Sequence, residues 1–457
     1  MIFNSQTVFI QAFLDAAYLG DLHAIKRLVA LMKKTVESES PNAQFKVENG
    51  GRFGDISFEA MQDHDGLNAL HKAASRGKIK MCEYLIDELK FNVNVTDAEG
   101  QTPLFEAILG KHVSVAKFLI ERGADVKKTN YKGSTPLHYA AEKGSLELVK
   151  FLISKGADIH EISEDGSPLH SAAAHGSSEV LNCLLDLGAD PNYISPIVMS
   201  PLMKSMLAEA LDCMVLLLKG KRGSKADPNR RTSNTTPLCY AASEGKLEMI
   251  HKLMANGADP NITDYSGLTP LEHAALNGFH AVVELLLQHT SKIGYLDSVW
   301  SCDGVMQHVN SEDARTHWKE KQKEIFENAE KDGKDELEKG DYVKAEYFYT
   351  QAMRADPADA IVLGYRSLCF AKLHADDFDE QTKQKLAVNA RDDAQYSVGL
   401  RPSYPMAHYW EGQAWTLLEE HDKAVAAFFR ALSLDPSDKA SQKAYRDARA
   451  KVDKASH

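Results

Sequence analysis

The chain has 457 residues, a formal net charge of −12 and 44% apolar residues, enough for two or three domains. Its acidity argues against general nucleic-acid binding, which wants a clustered basic face. No apolar run approaches the ~18 residues of a membrane-crossing helix, so membrane insertion is not expected. The six cysteines (Cys82, Cys183, Cys213, Cys239, Cys302, Cys369) are scattered and form no CxxC pair. That pattern fits reduced structural thiols in a cytosolic protein.

The first twenty residues are apolar, but they lack a basic leading region and Asp15 interrupts them. They are expected to form an amphipathic helix and not a signal peptide, and with Met1-Ile2 no N-myristoylation is expected. Residues 9–34 carry Phe13, Ala16, Ala17, Leu22, Ile25, Leu28 and Val29 at helical spacing, with Gly20-Asp21 as a turn. Residues 35–61, with Ser38 to Asn42 and Asn49-Gly50-Gly51, are expected to be a long mobile loop.

A period then sets in. Thr135 is a good helix N-cap, and its hydroxyl is expected to accept from a first-turn N–H. Pro136 follows where a missing N–H costs nothing. Ala140 and Ala141 allow close helix approach, and Gly144 and Gly156 end the two helices. Prolines of the same opening motif stand at 103, 136, 168, 201, 237 and 270, spaced by 33, 32, 33, 36 and 33. Asn68-Ala69-Leu70-His71 is an earlier copy, and Gly-Ala-Asp closes units at 123, 156, 188 and 257. One such helix pair cannot bury its own apolar face and must stack on copies.

These residues resemble ankyrin repeats, with opening and closing motifs in phase. The copy at Ser200 lacks the inter-helix glycine and is followed by a basic insertion, Lys219 to Lys225, continuing to Arg231. Segment 219–231 is either a solvated loop, a docking site for an acidic partner or a nuclear-import signal.

Residues 293–312 lose the period yet keep Trp300, Val305, Met306 and Val309, so packing as a helix is expected. A second period then begins. Gly333, Ala345, Tyr349, Ala352 and Pro357 share their offsets with Gly412, Ala424, Phe428, Ala431 and Pro436. Ser367, Ala390, Ala394, Ser397 and Pro402 fill a copy between them, lengthened near 374–385. These residues resemble the tetratricopeptide (TPR) repeat, and Lys439 to Lys454 is expected to cap the end. Ankyrin units followed by three TPR units resemble a plant family of cytosolic adaptors.

The expected fold is therefore all-α. An ankyrin solenoid of about eight units, the first degenerate, spans 1–294. A connecting helix covers 295–325, and a three-unit TPR domain with its capping helix covers 326–457. No phosphate loop, HExxH, GxSxG or kinase signature occurs, so no catalysis, cofactor or metal is expected. His71, His138 and His170 are expected to hydrogen-bond loop backbone.

The ankyrin resemblance nominates concave-face positions Ala98, Glu99, Gln101, Tyr131, Lys132, Glu142, Lys143, Glu164, His175, Glu244, Tyr265, Leu268 and Asn277. Tyr131 and Tyr265 lead, because aromatics concentrate binding energy. The TPR resemblance implies a carboxylate clamp for chaperone tails, but its positions hold Glu330, Lys334, Tyr365, Met406 and Trp410, so tight tail binding is not expected. Tyr365, Met406, Tyr409 and Trp410 are instead candidates for an apolar peptide groove, with buried packing as the alternative.

The expected function is a monomeric, cytoplasmic and in part nuclear adaptor that binds proteins or peptides. A co-chaperone, or a regulatory subunit of a kinase, phosphatase or ubiquitin ligase, is the alternative.

Overall fold

The computed structural model describes residues 2–39, 52–53, 56–194, 198–220, 224–232, 235–375 and 380–455. The chain divides into two compact units, 1–228 and 229–457, a division that falls inside the ankyrin-like period.

The first unit holds six helix pairs among the described residues. The first pair, Ile2–Leu19 and Leu22–Glu39, runs well past the expected end at 34. Residues 40–51 and 54–55 of the expected mobile loop lie outside the described residues. The fold is all-α as expected, with one local exception among the described residues: Arg52 pairs with Ser57 and Phe53 with Ile56 in a two-residue antiparallel hairpin. A hairpin of two-residue strands is a local turn feature. The later first helices begin on the expected prolines, at Pro103–Leu109, Pro136–Glu142, Pro168–Ala174 and Pro201–Leu207. Their partners are Val113–Glu121, Leu146–Ser154, Ser178–Asp186 and Leu211–Lys219.

The alanines at the pair contacts are fully enclosed, among them Ala73, Ala74, Ala140 and Ala141 at 0% exposure. Leu148, Val149 and Leu152 close the unit behind them. Gly144 takes φ +69° between its helices; the divergent copy puts Glu209 at the same turn with φ +53°. A side chain there costs about 1–2 kcal/mol against glycine. Of the basic insertion, Lys221, Arg222 and Gly223 lie outside the described residues.

Asparagines tie successive loops together. Asn94 donates to the Gly123 carbonyl and accepts from the Asp125 N–H. Asn192 does the same to Lys225 and Asp227.

The second unit starts with two more pairs, Pro237–Ser243 with Leu247–Ala255 and Pro270–Leu276 with His280–Leu287. Asn229 repeats the tie to Gly257 and Asp259, and Asn261 accepts from the Ser291 N–H. Residues 293–312 fold, with a 3₁₀ turn at Gly294–Val299 and a helix at Cys302–His308. Seven helices come next: Glu312–Lys339, Tyr342–Ala355, Ala360–Leu373, Glu380–Leu400, Pro405–Leu417, His421–Leu434 and Lys439–Ala455. Each packs on the next.

Small residues seat large ones between these helices. A methyl on Gly333 would lie 2.9 Å from Tyr349, and one on Gly412 would lie 2.5 Å from Phe428. Ser367 and Ser397 donate to the carbonyls of Ala390 and Ala360, at 2.7 and 2.6 Å. Gly364 faces the Trp410 ring so closely that any Cβ would collide with it.

Candidate functional site

The position three residues after each helix cap joins one repeat to the next. His71 Nε2 lies 3.1 Å from the Gln101 carbonyl, His138 Nε2 2.9 Å from that of Gly166, and His170 Nε2 3.1 Å from that of Tyr193. The carbonyls require Nε2–H to donate, which leaves Nδ1 as acceptor for the cap. Nδ1 of His138 duly receives the Thr135 N–H at 3.0 Å, with Thr135 Oγ1 at 2.8 Å. The Thr135 hydroxyl engages the imidazole as well as the first-turn His138 N–H, in a capping box that includes the backbone acceptance the sequence suggests. Burial holds all three histidines down to about 4. They are neutral structural locks.

The same position carries other chemistry elsewhere. Cys239 lies 3.7 Å from the carbonyls of Ile262 and Leu268, and burial pushes its thiol up to about 12. In the last repeat it is Glu272, fully enclosed. Glu272 Oε2 accepts from Thr269 N–H and Oγ1–H, both at 2.8 Å. Its Oε1 accepts from Tyr295 O–H at 2.6 Å and Trp318 Nε1–H at 2.8 Å. The element after this repeat offers side-chain donors where an ankyrin loop offers a carbonyl, so an acceptor replaces the histidine donor. The TPLE sequence at 269–272 was the visible signal.

Of the nominated surface residues, Tyr131 is 59% exposed at a loop tip and Lys132 is exposed beside it. Glu142 and Lys143 are half-buried and neutralise one another at 2.8 Å. Gln101 is buried. Tyr265, expected to face a partner, is only 5% exposed. Guanidinium groups of Arg231 and Arg354 lie 5.5 and 5.9 Å from its ring, and its hydroxyl bonds that of Tyr347. The chain's own helix Tyr342–Ala355 supplies two of these three neighbours.

In the C-terminal helices, Lys334 is exposed but tied to Glu330 at 2.7 Å, a bond that raises its pKa. Tyr365 is half-buried, stacked on Tyr349 at 5.4 Å. Trp410 is 2% exposed, 5.6 Å from Tyr365 and 5.9 Å from Tyr404. Met406 and Tyr409 are half-buried against this cluster and Phe428. Trp410 is thus packing and not a contact residue, because Gly364 opens a notch that its ring fills.

A neighbouring groove of about 290 Å³ is lined by Leu368, Lys372, Gln413, Leu417, Ala448 and Lys451, among others. Sequence reasoning missed these residues, although Leu368 and Lys372 stand three and seven positions after Tyr365 on one helix face.

A buried polar chain crosses the same helices. Arg366 binds Asp393 bidentately at 2.6 and 2.7 Å and donates to Thr350 at 3.1 Å. Thr350 donates to Glu346 at 2.7 Å. Burial pushes the Glu346 carboxyl up to about 7, against the Thr350 bond and Arg366, which lower it.

One group of possible metal ligands occurs among the described residues, Asp63, His64 and Asp65. Asp63 is already paired with Lys72 at 2.5 Å, and its Oδ1 accepts from the N–H groups of Asp65 and Leu67. The cluster is a braced turn.

Stacked helix pairs, locked at their caps and presenting loop tips, define an α-helical repeat solenoid. A family model described as ankyrin repeats matches three times, at residues 13–130, 126–195 and 199–297, well over half of the chain. The chain belongs to the ankyrin-repeat family.

It is 38% identical over 79 residues to the 26S proteasome non-ATPase regulatory subunit 10 of Dictyostelium discoideum, covering 17% of this chain and 32% of that protein. It is 28% identical over 224 residues to the ankyrin repeat protein nuc-2 of Neurospora crassa, covering 49% and 18%. The matched part thus spans about a third or less of these relatives. The human ASB11 ankyrin repeat domain is similar at 30% identity, covering 49% of this chain and 98% of that one, with a TM-score of 0.44. Ankyrin repeats generally mediate protein–protein interaction. No helix among the described residues is long and apolar enough to cross a membrane.

Proposed function

We propose that the protein is a non-catalytic adaptor that holds partner proteins on two different surfaces. The observation that carries this reading is the contrast between locked structural positions and an open aromatic loop tip at Tyr131. The cap histidines and Cys239 are engaged in packing roles, and Tyr131, Lys132 and their neighbours are what remains for recognition. The first surface is the ankyrin array, residues 1–294.

The second surface is the C-terminal helical set. We read residues 326–457 as three TPR units with Lys439–Ala455 as the cap, and 295–325 as the connection. The small-to-large contacts of Gly333 with Tyr349 and Gly412 with Phe428 support this reading, as does the order of motifs shared with plant adaptors. The groove beside Leu368 and Lys372 is its binding face. The chaperone-tail alternative is disfavoured, because Lys334 is bound to Glu330 and the Trp410 position is filled by packing. On this reading the protein is a cytoplasmic monomer with no affinity for nucleic acid.

Immobilised full-length protein tests this. Tyr131→Ala and Leu368→Glu should each lose a different set of identified partners from a cell extract, with the other set retained. Loss of one common set, or of neither, would overturn the two-surface adaptor. Adding millimolar peptide ending in EEVD should leave the spectrum of the protein unchanged.

A further inference from the structure

The loops at Asn130–Ser134 and Asp264–Leu268 are built on one plan. The first residue of each accepts from the fifth residue's N–H through its side chain, at 2.9 Å in one and 3.1 Å in the other. Its own N–H donates back to the fifth residue's carbonyl, at 3.0 and 2.9 Å. A glycine at the fourth position closes both with positive φ, +72° at Gly133 and +79° at Gly267. Tyr131 and Tyr265 therefore hold the same place on the same turn.

Yet one ring is 59% exposed and the other 5%. What covers Tyr265 is helical: Tyr347 and Arg354, both on Tyr342–Ala355. They are seven residues apart, so they share one face across two turns.

We propose that the Tyr131 loop tip docks an α-helix of a partner protein that presents an arginine seven residues after an aromatic residue, as Tyr347 and Arg354 do to Tyr265. This rests on the reading of the ankyrin array as a protein-binding surface and specifies the partner's chemistry. Charge favours it. The loop before Tyr265 brings an arginine of its own, Arg231, to the ring. The loop before Tyr131 brings Glu99, whose carbonyl accepts the Tyr131 N–H at 3.0 Å. The loop after it brings exposed Glu164 and Asp165, with the Glu164 N–H on the Lys132 carbonyl at 3.0 Å. Lys204 pairs with Asp165 at 4.0 Å, so the cations named at this site are lysines, and the planar guanidinium that Tyr265 has is best supplied here from outside.

A hydrocarbon-stapled peptide of residues 342–355, titrated into the full-length chain, tests the proposal by fluorescence anisotropy. Binding should weaken about fivefold or more in Tyr131→Ala, and equally when the peptide carries Arg354→Ala. Tyr131→Phe should bind like the unaltered chain, and circular dichroism should match in all variants. Absence of binding at millimolar peptide, or binding indifferent to Tyr131, overturns the proposal.

A second stapled peptide has leucine in place of both Tyr347 and Arg354. If it binds as well and still depends on Tyr131, the loop tip stands as a protein-binding face but the arginine helix does not. Tyr131-dependent dimerisation in sedimentation would make a second copy the occupant and also overturn the proposal.

Discussion

Between residues 68 and 170, three repeats lock onto their successors with a neutral histidine; in the second unit the same position holds the thiol of Cys239 and then the carboxylate of Glu272, and a further buried carboxyl, Glu346, lies within the later helices. The imidazole and the carboxylate answer to opposite neighbours. An ankyrin loop presents a carbonyl, and an imidazole N–H meets it. The element after the last repeat presents Tyr295 O–H and Trp318 N–H, and a carboxylate meets them. The repeat tolerates either residue because the cap needs only an acceptor, which His138 Nδ1 and Glu272 Oε2 both provide.

The largest expected effect breaks the carboxylate side. Glu272→Ala leaves buried donors of Thr269, Tyr295 and Trp318 without an acceptor, and should cost roughly 3–5 kcal/mol in denaturant unfolding. Glu272→His restores the residue of the other repeats. It should recover the Thr269 cap but set donor against donor at Tyr295 and Trp318, and so expose Trp318 to fluorescence quenchers. Unchanged quenching in that variant would remove the claim that Glu272 is matched to the donors of the succeeding element.

The next effect lies on the histidine side. Protonation must place a proton on Nδ1, against the cap N–H. The folded-state pKa of about 4 lies below the usual 6.5 for His71, His138 and His170. The unfolded chain therefore binds more protons in this window, and stability is complete above pH 6.5 and falls as pH drops toward 4. At about 1.4 kcal/mol per unit the limit is near 3 kcal/mol per histidine. Hydrogen exchange of amides in 136–154 should accelerate across that range, and His138→Gln should flatten the dependence there.

Glu346 has the reverse sign. Its folded pKa of about 7 lies above the usual 4.5, so its contribution is full below pH 4.5 and lost as pH rises through 7. The coupling to Arg366 and Asp393 shares this loss, leaving about 1–2 kcal/mol for exchange of amides in 342–355 to read. Glu346→Gln should make that segment insensitive to pH. The smallest effect is at Glu209, where glycine fits the left-handed turn and Glu209→Gly should gain about 0.5–1 kcal/mol in thermal unfolding.

The ankyrin part was legible because its signals are local. Each opening proline starts a helix, and the turn glycines at 77, 144, 176, 245 and 278 have positive φ, while in the Pro103 unit Lys111 takes that conformation in place of Gly110. The burial of Tyr265 was not legible, since Tyr347 and Arg354 stand more than eighty residues downstream and nothing in the loop announces them. Trp410 could have been anticipated from Gly364, a glycine inside a helix that signals close approach. The groove residues Leu368 and Lys372 share a helix face with Tyr365 but lie outside the clamp positions of the TPR resemblance, which therefore does not point to them.

The asparagine ties have a mechanical consequence. They recur at Asn94, Asn192, Asn229 and Asn261, but the two intervening positions of the same period hold Lys127 and His160. If the chain is pulled from its ends, the loops tied at Asn94, Asn192 and Asn229 resist as doubly bonded seams and that at Asn261 as a singly bonded one, while the seams at 127 and 160 yield at lower force. The Tyr131 loop thus lies between a tied seam on its Asn94 side and an asparagine-free seam at 127, held on one flank and freer on the other.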